Sequence, residues 1–347
     1  MIGDPQSVLF LCDFAPGFTG AKHHTTGVGG TEALVVVLAE ALAARRVRVT
    51  VAARIDQPCE AGDVCYESVA AARTKDADVA VLVKQWSDAA EAATGLRMFL
   101  ATDVHIPDPA GLARSVRWSH VRAALSPYMR TSLSPVVEAH DMEILPPPID
   151  LRDYAELSDA RDRVMLYCSV PDRGLYYLKD LFPAIRRRVK DARLVITSDF
   201  TLWGKAPASA AFMRFFEQQP GVEYLGHVDR ARLVAEQRRA RLLAYPCNFP
   251  EGFCIAAAEC MAAGAVPLTT NAFALTTTVG SEGILVNGRP RSWLYRRRFV
   301  KAAIALLSDD AYWHERSLAC RARARLWDAP VVADAFLALV RRTRKRT

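Results

Sequence analysis

No stretch of about 18 uncharged apolar residues occurs in the chain, so a membrane-spanning helix is not expected. The first residues reach Asp4 without a basic segment leading into an apolar one, and no secretory leader is expected. There is no Cys-x-x-Cys pair among the eight cysteines (12, 59, 65, 168, 247, 254, 260 and 320). They sit in apolar segments, which points to free buried thiols in a reducing, cytoplasmic compartment. Zinc-finger spacing and aromatic-interleaved basic strands are also absent, which argues against a nucleic-acid partner. Gly-x-Gly-x-x-Gly is missing too, and with it the main signature of a nicotinamide-dependent enzyme. No internal repeat stands out.

What is present fits a folded protein of two domains. The 347 residues are 51% hydrophobic and 24% charged, with a net charge of +7 carried mostly by arginine. Basic clusters occur at Arg186–Arg188, Arg296–Arg298 and Arg341–Arg346. They suit solvated helix faces, and equally contact with an anionic lipid surface or phosphorylated substrates; peripheral membrane contact is therefore an expectation.

Short apolar runs alternate with helical patterns, which predicts an α/β protein with parallel sheets. Strands are expected at 8–12, 47–51, 79–83 and 97–101, with a helix at 31–44 and another near Tyr128. Pro146-Pro147-Pro148 stiffens the chain and forbids a helix, which places a domain boundary there. A second series follows, with strands at 164–168, 194–197, 222–225, 242–245, 266–269 and 283–286. Helices are expected at 175–189, 230–239 and 251–264, and over most of 293–342. The resulting expectation is two Rossmann-like halves with a cleft between them, ligands lying at the carboxyl ends of the strands.

Three segments could carry chemistry. Gly27-Val28-Gly29-Gly30-Thr31-Glu32 joins a strand to a helix and follows a long loop, 13–26. Its glycines allow close backbone approach, and the helix start favours an anion. Ser169-Val170-Pro171-Asp172-Arg173-Gly174 occupies the same place in the second half. Asp172 can cap the following helix, and Arg173 beside the positive helix end suits a bound phosphate. Pro250-Glu251-Gly252-Phe253-Cys254-Ile255-Ala256-Ala257-Ala258-Glu259 sets two carboxylates seven residues apart in apolar surroundings. Each can accept a pair of hydrogen bonds from vicinal hydroxyls, and backbone N–H groups at Phe253 and Cys254 suit a diphosphate. Solvent-facing glutamates are the alternative. Asp76-Ala77-Asp78 precedes a strand and reads as a turn.

Glu251 and Glu259, followed by Met261-Ala262-Ala263-Gly264, resemble the EX7E signature of glycosyltransferase family 4, retaining enzymes of the GT-B fold. Gly29-Gly30-Thr31-Glu32 is similar to that family's N-terminal glycine motif. Ser169–Gly174 resembles its Ser-x-Pro-Asp-Arg-Gly branch, Glu143–Asp150 its interdomain segment, Asn271–Gly280 its donor loop, and Trp327-Asp328 the start of its final helix. The resemblance implies a GT-B fold: residues 1–148 as an acceptor domain, 149–327 as a nucleotide-sugar domain, a helix at about 328–342 crossing back to the first, and a basic tail at 343–347. It implies a metal-independent hexosyl transfer (the EC 2.4 class) from a UDP- or GDP-sugar to a glycan, lipid-linked or protein acceptor, without cofactor. Arg173 would neutralise the leaving diphosphate, aided by Phe253 and Cys254. Glu251 would hold the donor sugar near the reaction centre, Glu259 the ribose, while Gly29 and Gly30 would let the N-terminal loop close over the donor.

The resemblance departs at Pro147 and Pro148, which replace the usual Asn-Gly, at Cys254, where many members have glycine, and in two further places. The family's catalytic histidine and its acidic neighbour fall at Thr102-Asp103, leaving Asp103 as the catalytic candidate there, with His105, His23 and His24 as possible substitutes for the histidine. A second phosphate cation is unassigned; Lys179 and Lys205 are candidates. A catalytically silent protein that binds a sugar nucleotide or a partner is the alternative.

Overall fold

In the computed structural model the alternating apolar runs form two separate sheets. The described residues are 3–14, 16–134, 141–156, 160–201 and 210–346. They divide into one unit of 1–24, 28–149 and 327–347, and a second of 25–27 and 150–326.

The first unit holds strands β1 (Ser7–Cys12), β2 (Arg48–Ala53), β3 (Cys59–Ala61), β4 (Val64–Ser68), β5 (Val79–Val83), β6 (Leu96–Ala101), β7 (Val121–Ala124) and β8 (Met142–Ile144). They lie in the order β3-β4-β2-β1-β5-β6-β7-β8, all parallel except β3 against β4. Its helices are α1 (Gly20–His24), α2 (Gly30–Ala43), α3 (Val69–Ala72), α4 (Pro109–Trp118) and α5 (Pro127–Ser132). Strand β5 is buried at every position, as its unbroken Val-Ala-Val-Leu-Val run predicts for a central parallel strand. The expected loop at 13–26 is interrupted by α1.

The second unit holds β9 (Val164–Tyr167), β10 (Arg193–Ile196), β11 (Val222–Tyr224), β12 (Leu242–Tyr245), β13 (Val266–Thr270) and β14 (Ile284–Val286), all parallel, in the order β11-β10-β9-β12-β13-β14. Its helices are α6 (Leu178–Arg186), α7 (Ala210–Glu217), α8 (Arg230–Arg239), α9 (Ile255–Ala262), α10 (Leu275–Thr278), α11 (Trp293–Ser308) and α12 (Asp310–Ala324).

A last helix, α13 (Ala329–Arg344), belongs to the first unit. It packs Phe336 against Phe10 of β1, with ring centroids 6.4 Å apart, and Asp334 accepts a hydrogen bond from Arg45 at 2.6 Å. The peptide of Ile149, just past the three prolines, is clamped between Trp327 O and Ala329 N at 2.8 and 2.9 Å. The end of the 28–149 segment and the start of the 327–347 segment of the first unit therefore lie side by side.

Two expected helix starts are corrected. The helix after β12 begins at Ile255, not Glu251, because Cys254 adopts a left-handed conformation (φ 77°) that ends the preceding turn. The helix after β9 begins at Leu178, since two short 3₁₀ turns, Pro171–Arg173 and Leu175–Tyr177, come first. Asp172 consequently makes no cap for it. Asp78 accepts the backbone N–H of Gln6 at 2.6 Å and Asp76 the Thr94 hydroxyl at 2.9 Å, so the Asp-Ala-Asp segment fastens a turn. No helix among the described residues is long and apolar enough to cross a membrane.

Candidate functional site

Strand order decides where a ligand can lie in the second unit. The chain runs from β9 outward through β10 and β11, then returns to β12 on the opposite side of β9. The loops leaving β9 and β12 therefore diverge, and the carboxyl ends of these two central strands border a crevice. Those loops are the ones that carry Arg173 and Glu251.

Gly174 allows the two loops to touch. Its φ is +137°, and a Cβ there would lie 2.5 Å from the Pro246 carbonyl oxygen, so only glycine fits. Arg173 then reaches Glu251, donating from Nη1 to Oε1 at 3.1 Å, with its guanidinium 4.2 Å from the centroid of the Phe249 ring. The Tyr245 hydroxyl, from the last residue of β12, donates to the same Glu251 oxygen and accepts from Ser169 Oγ at 3.2 Å. Glu251 retains only 6% of its surface, which removes the solvent-facing alternative.

The electrostatics follow from this burial. Tyr245 is held well above the usual phenol range, first by burial and then by the Glu251 charge, so it remains a hydrogen-bond donor. The Cys247 thiol is pushed up to about 12 by burial and by Glu251. Cys254 is raised for the same two reasons, which makes both thiols poor nucleophiles. Burial pulls the Arg173 guanidinium down, but Glu251 and Tyr245 outweigh it and hold it above its ordinary value.

Glu259 lies just over one turn into α9. Its Oε1 accepts from Arg230 Nη1 at 2.6 Å and its Oε2 from Gln237 Nε2 at 3.0 Å. Arg230 also donates to Asp153 Oδ2 at 2.8 Å, and the Tyr154 hydroxyl donates to Gln237 at 2.6 Å. Glu259 too is buried, at 8%. The structure thus groups the predicted residues Arg173 and Glu251 in one cluster and ties Glu259 into a neighbouring one. Phe253 and Cys254 lie between them. The first-turn amides of α9 belong to Ile255 and Ala256, two residues on from the expected pair, and have no carbonyl a turn back within the helix.

Sequence reasoning missed Tyr245, Phe249, Arg230, Gln237, Tyr154 and Asp153. Tyr245 carried a signal: a polar-tipped aromatic closing a strand, six residues before a buried carboxylate. Lys179, one of the two candidate phosphate cations, packs on aromatic rings. Its ammonium lies over the Phe215 ring, 4.0 Å from the centroid, and over that of Tyr176. Lys205 lies outside the described residues.

In the first unit, Gly29 caps α2 and Gly30 opens it. Gly29 has an ordinary φ; it is small because a Cβ would lie 2.5 Å from Glu32 Oε2. Glu32 is buried, and burial raises its pKa, partly offset by its own backbone N–H, Lys84 and Lys22. Thr31 and Thr102 hydroxyls meet at 3.4 Å, which joins the glycine turn to the loop after β6. Asp103 accepts the backbone N–H of His105 at 3.0 Å. Both line a cavity of about 400 Å³ with Lys84, Trp86 and Phe99. His24 bonds Glu40 at 2.7 Å and His23 is buried beside it, so neither histidine lines that cavity.

The fold of the two parallel-sheet units is GT-B. It matches a sucrose-phosphate synthase from Thermosynechococcus elongatus (TM-score 0.75, 15% identity, 99% of this chain and 100% of that one). It also matches Anabaena HepE in complex with UDP-glucose (TM-score 0.73, 15% identity, 98% and 100%). Residues 162–309, most of the second unit, match the family model of the Glycosyl transferases group 1 domain. The chain is similar to the phosphatidyl-myo-inositol mannosyltransferases of Mycobacterium tuberculosis and Mycobacterium bovis, 30% identical over 172 residues. That match spans 48% of this chain and 43% of the relatives' length.

Proposed function

We propose that the chain is a retaining glycosyltransferase that moves a hexose from a UDP- or GDP-sugar to a glycan, lipid-linked or protein acceptor, without a metal ion. The observation that carries this reading is the convergence of Arg173 and Tyr245 on Glu251 at the switch point of the second sheet. The match of this unit to the Glycosyl transferases group 1 domain supports it, as do relatives named for mannosyl transfer.

The chemistry assigned to each residue follows from charge. As the nucleoside diphosphate departs, negative charge grows on its phosphates and positive charge on the sugar ring. Arg173 and the amides around Phe253, Cys254 and the start of α9 answer the first. Glu251 receives both Arg173 and Tyr245 on Oε1, which directs Oε2 to a sugar hydroxyl. A carboxylate has about four lone-pair sites, so Glu259 can accept ribose hydroxyls in addition to Arg230 and Gln237. Gly29 and Gly30 allow the N-terminal loop to approach the donor, and Asp103 is the catalytic candidate of the first unit. A thermal-shift panel of UDP-, GDP- and ADP-hexoses identifies the donor, since a ligand that binds only the folded state raises its melting temperature. The reading fails if no nucleotide sugar either shifts the transition or is turned over.

A further inference from the structure

The exposed face at the start of α11 is not used by the candidate site. Between Asn287 and Ser308 the chain carries six cationic side chains (Arg289, Arg291, Arg296, Arg297, Arg298 and Lys301) and no carboxylate. Trp293 is 70% exposed, Leu294 47%, and Tyr176, just before α6, 61%. Tyr295 and Phe299 are fully buried and fix the inner face of α11. Positions 293 and 297, and 294, 298 and 301, therefore fall together on the outer face. Arg297 covers the Trp293 ring at 5.5 Å.

Arg296 reaches Asp180 at 2.5 Å, which ties the first turns of α6 and α11 together and brings Tyr176 to the same rim. Among the described residues, none of Arg289, Arg291, Arg297, Arg298 and Lys301 forms an ion pair with a carboxylate. The C-terminal cluster differs. Its Arg341 pairs with Asp4, Arg342 with Glu143 at 2.6 Å, and Arg344 donates to the Asp78 carbonyl at 3.2 Å.

We infer that the start of α11 docks on an anionic lipid surface, with Trp293, Leu294 and Tyr176 seated at the headgroup level and the unpaired arginines against lipid phosphates. Exposed tryptophan and tyrosine favour the membrane interface, where one end of the ring is apolar and the other wet. Unpaired cations complement anionic headgroups. A single-stranded nucleic acid would want successive stacking rings, and here a single tryptophan lies under an arginine. Because α11 follows β14, its start lies on the carboxyl side of the sheet. Asn287 there accepts from Asn271 Nδ2 at 2.5 Å, and the Tyr295 hydroxyl meets Thr270 Oγ1 at 2.9 Å. Docking would hold the ligand-bearing edge of this unit towards the bilayer.

The test is co-sedimentation of the full chain with vesicles, without donor, so its failure is distinct from failure of the transferase reading. Vesicles of phosphatidylcholine containing about one-third phosphatidylglycerol should bind the protein, and pure phosphatidylcholine should not. Joint replacement of Arg291, Arg297 and Arg298 by Gln should weaken binding about 100-fold, near fivefold per charge. Trp293→Ser with Leu294→Ser should weaken it about tenfold. These are surface positions, so an unchanged melting temperature confirms folding. Equal binding to both vesicle types overturns the proposal. So does loss on removing residues 345–347 with no effect of the α11 variants, or tighter binding to an oligonucleotide than to anionic vesicles.

Discussion

Replacing Arg230 by Met isolates the cost of the network around Glu259. The guanidinium and the Glu259 carboxylate are each only 10% exposed. Arg230 Nη1 holds Glu259 at 2.6 Å and Nη2 holds Asp153 at 2.8 Å, while Gln237 supplies the other bond to Glu259 at 3.0 Å. Methionine keeps most of the packed length but removes the charge, stranding Glu259 with one amide partner. A buried pair broken in this way costs about 3–5 kcal/mol. In a unit of roughly 150–250 residues, about 2–4 °C per kcal/mol converts this to a fall of about 6–20 °C. Urea and thermal unfolding followed by circular dichroism measure it. Glu259→Gln in the Arg230→Met background removes the stranded charge and keeps an acceptor for Gln237, so it should recover a large part of the loss. A loss under about 1 kcal/mol, or a double variant no better than the single one, refutes the argument, because then the carboxylate is solvated and the pair is not formed.

Gly174→Ala places a Cβ 2.5 Å from the Pro246 carbonyl at a φ of +137°, and should cost about 2 kcal/mol or more of stability and weaken nucleotide-sugar binding, read by unfolding and by calorimetry. Glu32→Gln tests a pH dependence. Burial raises the Glu32 pKa in the folded state, so this carboxyl's contribution to stability is fully present below its unfolded value and is lost as pH rises through the folded one. The variant should therefore melt higher than the parent at pH 7.5, with the difference shrinking as pH falls towards the ordinary carboxylate range. A difference that grows on acidification contradicts the assigned cause.

The parallel sheets were readable because their strands are continuous apolar runs. Val79–Val83 and Leu242–Tyr245 need no partner to announce themselves, and the helix expected at 230–239 forms as Arg230–Arg239, with the Asp229 side chain accepting from Arg232 N at 2.7 Å. Strand β3 was missed because it forms the edge: Cys59-Glu60-Ala61 is mostly exposed and breaks the apolar pattern. Helix starts failed where the backbone did something a side chain does not advertise. Cys254 takes a positive φ without being glycine, and the 3₁₀ turns at 171–177 delay α6. At the candidate site, Glu251, Glu259 and Arg173 could be singled out in the sequence, but their partners could not. Tyr245 meets Glu251 only because β12 and its loop fold back, and Arg230 reaches Glu259 from a different helix, 29 positions away. Such pairings depend on tertiary geometry and have no period to read.

The transferase account stands or falls on the Arg173–Glu251–Tyr245 cluster. The direct measurement is turnover of a UDP- or GDP-hexose by the parent and by Arg173→Ala, Glu251→Gln and Tyr245→Phe, each confirmed as folded. Removing a group that answers transition-state charge costs about 10²–10³ in kcat. The account predicts losses of that order for Arg173→Ala and Glu251→Gln, and a smaller loss for Tyr245→Phe, which leaves the Arg173 bond in place. Variants that transfer sugar at the parental rate would contradict it.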